Sequence, residues 1–144
     1  MQFTYQAQLE PDPSGGFLAT FSDVPEAIAG GATQAETLAE AAQALYQGLL
    51  SYSERGMRLP AAKAHTGHPV HLPARQAVKL AVLDSFVESG MSKSELARRI
   101  GRGETEARRI LDPDHGTKLA LLEEALAAMG KQLSIGLAPL EAAE

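Results

Sequence analysis

The stretch SKSELARRIGRGETEARRIL, Ser92–Leu111, decides how the chain is read. Ser92 and Glu95 have the spacing of a capping box, in which each side chain satisfies a backbone N–H that the helix start leaves open. A short helix through Ile100 follows. Gly101-Arg102-Gly103 is a tight connection, and Glu104–Leu111 forms a second helix that stops before Pro113. Ala97, Gly101, Ala107 and Ile110 lie at offsets 0, 4, 10 and 13. They suit a small residue at a helix crossing, a glycine turn and an apolar inner face on the second helix. This predicts a helix-turn-helix, whose second helix enters the DNA major groove.

Gly103, Glu104, Thr105, Arg108 and Arg109 then face outward from the second helix. Arg108 suits guanine O6 and N7, while Arg109, Arg98, Arg99, Arg102 and Lys93 suit phosphates. The loop Asp112–Lys118 leads into a further helix capped by Thr117, so Thr117 and Lys118 join the expected DNA-binding set. Glu104 and Glu106 stand close to the expected phosphates and weaken a monomer's grip. A dimer is the expected remedy.

Charge is distributed unevenly around this stretch. The 144 residues carry a net −5, which excludes a uniformly basic nucleic-acid binder. Lys93–Arg109 nevertheless holds six basic and three acidic residues, a net +3. Residues 1–74 hold three basic and seven acidic ones, a net −4. Two modules with different partners are expected.

Outward toward the N-terminus the period changes from helical to alternating. Phe3, Tyr5, Ala7 and Leu9 alternate with polar residues, as do Phe17, Ala19 and Phe21, and Pro11–Gly16 between them is dense turn chemistry. Ala27–Ala29 reads as a third short strand. Thr33 and Glu36 form another capping box, opening a helix with Leu38, Ala42, Leu45 and Leu49 on its apolar stripe and Gly56 at its stop. Leu59–Pro73 reads as a connector, with one more strand over Val70–Leu72. The helix Ala74–Ser89 turns Val78, Val82, Phe86, Leu83 and Val87 inward and ends at Gly90. The helix after Thr117 buries Leu119, Leu122, Leu126 and Met129, and a final short strand is expected over Gln132–Leu137. The fold class is therefore an α+β N-terminal domain, β-β-β-α-β, followed by an all-α helix-turn-helix domain with a short C-terminal strand. The expected division is 1–62, a connecting segment 63–73, and 74–144.

Other chemistry is largely excluded. With no cysteine there is no disulfide, thiolate metal site or cysteine nucleophile. His65, His68 and His71 lie in a Pro/Gly-containing connector without a completing ligand, so they read as solvated, and no metal or cofactor is expected. Glu10, Asp12, Asp23, Glu26, Glu36 and Glu40 do not form a two-metal nuclease set, because turns and the helix cap already use several of them. No run approaches the ~18 apolar residues of a membrane span, and Met1–Gln6 lacks signal-peptide form. A soluble cytoplasmic protein without enzymatic activity is expected.

The residues also resemble a known family. Phe3-Thr4-Tyr5, Ser14-Gly15-Gly16-Phe17, Phe21-Ser22-Asp23-Val24-Pro25 and Gly31-Ala32-Thr33-Gln34-Ala35-Glu36, with Leu59-Pro60 after the helix, look like the N-terminal domain of HicB-type antitoxins. Ser92–Leu111 is similar to the phage-repressor-like helix-turn-helix that many such proteins carry. Glu26, Ala27 and Thr37 depart from the family pattern near the expected toxin surface. The resemblance implies a truncated RNase H-like fold without nuclease activity. It implies binding and neutralisation of a HicA-type toxin, a small basic mRNA-cleaving protein, and repression of the chain's own operon at operator double-stranded DNA. The expected toxin contacts are Glu10, Asp12, Phe17, Asp23 and Glu26 on the acidic domain. A homodimer is expected through Gln132, Leu133, Ser134, Ile135 and Leu137.

Two rival readings make distinct demands. A free-standing helix-turn-helix regulator with a sensing domain requires a sizeable apolar pocket within residues 1–60. An RNase H-like nuclease requires divalent-metal-dependent cleavage.

Overall fold

A computed structural model describes residues 1–140. It contains β1 (Thr4–Pro11), β2 (Phe17–Phe21), β3 (Ile28–Gly31), α1 (Gln34–Glu54), β4 (His68–His71), α2 (Ala74–Ser89), α3 (Lys93–Ile100), α4 (Glu104–Leu111) and α5 (Leu119–Ala128). The strands form one antiparallel sheet in the order β3-β2-β1-β4, with α1 against one face. The mixed β/α first part and helical second part match the expected order. β3 and β4 sit one and two residues away from their expected starts.

The β1–β2 turn is held by Asp12, whose Oδ1 accepts from the backbone N and Oγ of Ser14 at 3.0 and 2.9 Å. Gly16 closes it at φ +76°, and a Cβ there would stand 2.3 Å from the carbonyl oxygen of Gly31. Both the left-handed backbone and the close approach of β3 require glycine. Gly16→Ala is therefore expected to lower stability by about 2 kcal/mol or more, measured by urea unfolding against the unchanged chain.

At the start of α1, the hydroxyl of Thr33 accepts from Glu36 N at 3.1 Å, while Glu36 reaches back to the N–H of Ala32 at 3.2 Å. The first core packs Tyr5, Ala7, Ala19 and Phe21 of the sheet against Ala41, Leu45 and Leu49 of α1. Leu59, Val70, Leu72 and Leu80 join it from beyond α1. A second core joins Val78, Val82, Leu96, Ile110, Leu122, Ala125 and Leu126. Helix α2 serves both. Leu80 is turned about 200° from Val78, so it enters the first core while Val78 and Val82 enter the second. The apolar run Leu80–Leu83, with Ala77 and Val78 before it and Phe86 after it, gives α2 apolar residues on both faces and suits this double burial.

The connector after α1 is pinned rather than loose. Asp23 Oδ2 accepts from the backbone N of Lys63 and of Ala64, each at 2.9 Å. Gln8 donates to the carbonyl of Thr66 at 2.9 Å, and the Tyr5 hydroxyl donates to that of Pro60 at 2.7 Å. Burial, with the charges of Asp84 and Asp23 adding to it, pushes the Tyr5 phenol up to about 12 from 10.0. Between these values the unfolded chain has lost this proton and the folded chain keeps it. Stability is thus expected to fall with rising pH across that window, and Tyr5→Phe to lack this component in alkaline unfolding curves.

Three expectations are corrected. Gln132–Leu137 forms no strand: residues 131–140 have no regular structure, since a strand needs a ladder partner and none lies beside it among the described residues. Only Leu133 packs on the second core, leaving Ile135 and Leu137 exposed. Thr117 does not cap α5, whose N-cap is Lys118 without a side-chain bond. Leu119 is 49% exposed, and Leu121 rather than Leu119 packs against the second core beside Leu122 and Leu126.

Candidate nucleic-acid and partner interfaces

Helices α3 and α4 form where local chemistry expects them. Ser92 Oγ accepts from Glu95 N at 3.1 Å. Gly101 ends α3 at φ +69°, with Gly101 N bonded to the Arg98 carbonyl at 3.1 Å and Arg102 N to that of Ala97 at 2.9 Å. This paired closure is a Schellman motif and turns the chain into Gly103, the N-cap of α4. Leu96, Ala97, Ala107 and Ile110 are buried, as their spacing requires.

The far end of α4 is held by a residue that periodicity did not single out. Lys79 of α2 is buried, and its Nζ donates to the carbonyls of Arg109 and Ile110 at 3.2 and 2.8 Å and to Thr117 Oγ1 at 3.0 Å. An ammonium at a helix C-terminus satisfies carbonyls the helix leaves open and faces the negative end of its dipole. Burial pushes the Lys79 ammonium below the usual lysine value, and the charge of Asp112 opposes this. Thr117 is recruited here, donating also to the Arg109 carbonyl at 3.3 Å, so its hydroxyl is engaged within the fold. A lysine set between Val78 and Leu80, within the apolar stretch Ala77–Leu83, was the available signal.

The expected DNA-binding side chains Lys93, Arg98, Arg99, Arg102, Glu104, Thr105, Arg108, Arg109 and Lys118 are all exposed, as is Gly103. Every arginine among them meets a carboxylate. Glu95 takes both Arg98 and Arg99, Glu104 takes Arg108 at 3.4 Å, and Glu106 takes Arg109 at 3.7 Å. Ser94 also bonds Glu104. Arg102 pairs with Glu124 of α5 at 3.5 Å, and Arg99 reaches the carbonyl of Ala128 at 3.4 Å. Arg99 and Arg102 thus turn toward α5, while Arg108 and Arg109 remain with Thr105 on α4. Such exposed pairs contribute little stability, so exchanging a carboxylate for a phosphate costs α4 little.

In the first part, the expected toxin contacts are scattered. Glu10 is exposed near the end of β1, and Phe17 is half-buried opposite Pro11 and Gly31. Asp12 and Asp23 are committed to the turn and the connector described above. Glu26 accepts from the Tyr52 hydroxyl at 2.6 Å, which with lesser help from Arg55 holds its carboxyl below the usual range. Arg55 stacks over the Tyr52 ring, 4.9 Å from its centre. His68 and His71 are the end residues of β4, and His71 Nδ1 lies 2.8 Å from Thr4 Oγ1. Among the described residues no group of three His, Cys, Asp or Glu side chains has metal-binding spacing. No described helix is long and apolar enough to cross a membrane.

Buried Asp84 links the two parts. It accepts from Leu59 N at 2.9 Å and from Arg58 Nε and Nη2 at 2.9 and 3.1 Å. Arg58 also meets Glu88 at 2.7 Å, and Glu88 meets Lys131 at 3.1 Å. The polar ties run from the connector through α2 to the segment after α5.

An acidic sheet-and-helix unit is joined to a helical unit whose α3–α4 segment exposes five arginines, and the class this fits is a regulatory protein rather than an enzyme. A family model described as "HicB_like antitoxin of bacterial toxin-antitoxin system" matches residues 4–81. The chain is 36% identical over 137 residues to Antitoxin HicB of Escherichia coli (strain K12), covering 91% of this chain and 96% of that protein. It is 33% identical over 133 residues to Antitoxin HicB 1 of Photorhabdus laumondii, covering 92% and 86%. To Antitoxin HicB of Pseudomonas fluorescens (strain Pf0-1) it is 31% identical over 136 residues, covering 92% of each. The chain belongs to the HicB antitoxin family and is a regulatory, non-catalytic protein.

Proposed function

We propose that this chain neutralises a HicA-type toxin through its first part and represses its own operon by binding operator DNA through α3 and α4. Residues 1–62 act on the toxin, 63–73 connect, and 74–144 bind DNA and dimerise. The truncated RNase H-like description rests on the β-β-β-α-β order and the β3-β2-β1-β4 sheet. The helix-turn-helix reading rests on the Schellman turn between two short capped helices and the buried Ala97, Ala107 and Ile110 beneath them.

The observation that carries the two-partner reading is charge segregation. The acidic first part suits a basic RNA-binding toxin, and exposed Arg108 and Arg109 on α4 suit DNA. By contrast, the groove beside β3 is lined by Glu40, Gln43 and Gln47 together with Ile28, Ala29, Gly30 and Ala44. This differs from the apolar pocket that a small-ligand sensor needs. In cells expressing a HicA-type toxin, the chain restores growth, and the purified chain retards DNA from its own promoter. Failure of both removes this reading.

A homodimer places two α4 helices on an inverted repeat, about one helical turn apart. Leu133, Ile135 and Leu137 alternate with Gln132, Ser134 and Gly136, and Ile135 and Leu137 are exposed in the single chain. Pairing this segment with its copy supplies the ladder that the isolated chain lacks. Ile135→Asp with Leu137→Asp is expected to convert the dimer to monomer in sedimentation velocity and to weaken operator binding. An unchanged dimer places the contact elsewhere.

A further inference from the structure

The two edges of the sheet are built differently. β4 reads His68-Pro69-Val70-His71, and Pro69 has no N–H to offer a further strand. Proline and polar residues are the devices that blunt an edge. On the opposite side β3 reads Ile28-Ala29-Gly30-Gly31, without charge or proline, and Ile28 is 62% exposed. Beside this open edge α1 projects Glu40, Gln43, Ala44 and Gln47, which with Ile28, Ala29 and Gly30 line a groove.

Charge selects the occupant. From Met1 to Glu54 the chain has seven carboxylates and no lysine or arginine, so the sheet and helix around this edge are uniformly acidic in their ionised side chains. Edge-to-edge docking of a second copy brings two such surfaces together, with Glu40 facing more carboxylates. A basic extended segment meets the opposite field.

We propose that β3 is the edge to which the basic toxin adds an extended segment, its backbone pairing with Ile28–Gly31. This rests on the toxin-neutralising reading above and locates its interface. Alternation along the added strand sets its side chains. Those on the α1 side are lysine, arginine or polar, facing Glu40, Gln43 and Gln47. Those on the other side are apolar and cover Ile28. The interface therefore extends beyond the expected set Glu10, Asp12, Phe17, Asp23 and Glu26 to Ile28 and Glu40.

The test uses the full chain and the HicA-type toxin encoded with it, purified separately. Ile28→Lys and Glu40→Lys are each expected to weaken toxin binding by about tenfold or more, and His68→Lys on the other edge by less than about twofold. Thermal melting checks that each variant is folded. In hydrogen exchange of the unchanged chain, the amides of Ile28–Gly31 gain protection on toxin addition. Unchanged affinity in both Ile28→Lys and Glu40→Lys with no such protection overturns the proposal while leaving the antitoxin reading intact. Loss of self-association in Ile28→Lys with toxin binding kept assigns the edge to a second copy and also overturns it. Absence of toxin binding by the unchanged chain overturns the antitoxin reading, and this proposal with it.

Discussion

Replacing Asp84 by alanine is expected to lower the stability of the whole chain by about 2–4 kcal/mol, the range for removing one partner of a buried charge network. Asp84 is 4% exposed, and its carboxylate accepts three hydrogen bonds, one of them from the backbone N–H of Leu59. Alanine leaves that N–H without an acceptor and leaves a void beside Leu59. Arg58 is about half exposed, so water screens its released charge and keeps the cost below that of a fully buried pair. Asp84→Asn retains an acceptor for Leu59 N and is expected to lose about half as much. Because α2 belongs to both cores, the two parts are expected to melt together in both variants. Separate transitions, followed by Tyr5 in the first core and by helical content in the second, contradict this role for α2.

Replacing Arg108 and Arg109 together by alanine is expected to reduce operator affinity by at least ~100-fold at moderate salt. A base-contacting arginine contributes about 1–3 kcal/mol, and the phosphate contact of its neighbour adds to this. Both side chains are more than half exposed and, among the described residues, pair only with Glu104 and Glu106, so their loss is expected to leave the fold unchanged. Removing a phosphate contact also lowers the salt slope by about one unit. Fluorescence anisotropy across a salt series measures both effects. A melting temperature equal to that of the unchanged chain assigns the loss to the surface.

Elements set by neighbouring residues were legible in the sequence. Thr33 with Glu36, Ser92 with Glu95 and Gly101 place helix ends through contacts within a few residues, and α1, α3 and α4 form accordingly. What depends on distant partners was not. The Thr117 hydroxyl reads as a helix cap until Lys79, distant in sequence, reaches it. Gln132–Leu137 has strand-like alternation, but alternation supplies no hydrogen-bond partner. Leu59–Pro73 reads as a connector from its prolines and histidines, yet Asp23, Gln8, Tyr5 and Asp84 hold it from four places in the chain.

The candidate interfaces divide in the same way. The outward positions of α4 follow from helical spacing alone, and Thr105, Arg108 and Arg109 are exposed there. The pull of Arg99 and Arg102 toward α5 follows only from how the helices pack. Among the acidic residues, composition reports that the first part is negative. It does not separate Asp23, which binds backbone amides, from Glu40, which lines an open groove.

On the proposed function, one surface holds the toxin and another holds DNA. The toxin affinity of the Arg108→Ala, Arg109→Ala double variant, measured by calorimetry on the preparation that has lost operator binding, decides whether the two are separate. The predicted affinity lies within about twofold of the unchanged chain, as for substitutions remote from an interface. A loss of toxin binding equal to the loss of operator binding contradicts the division of labour.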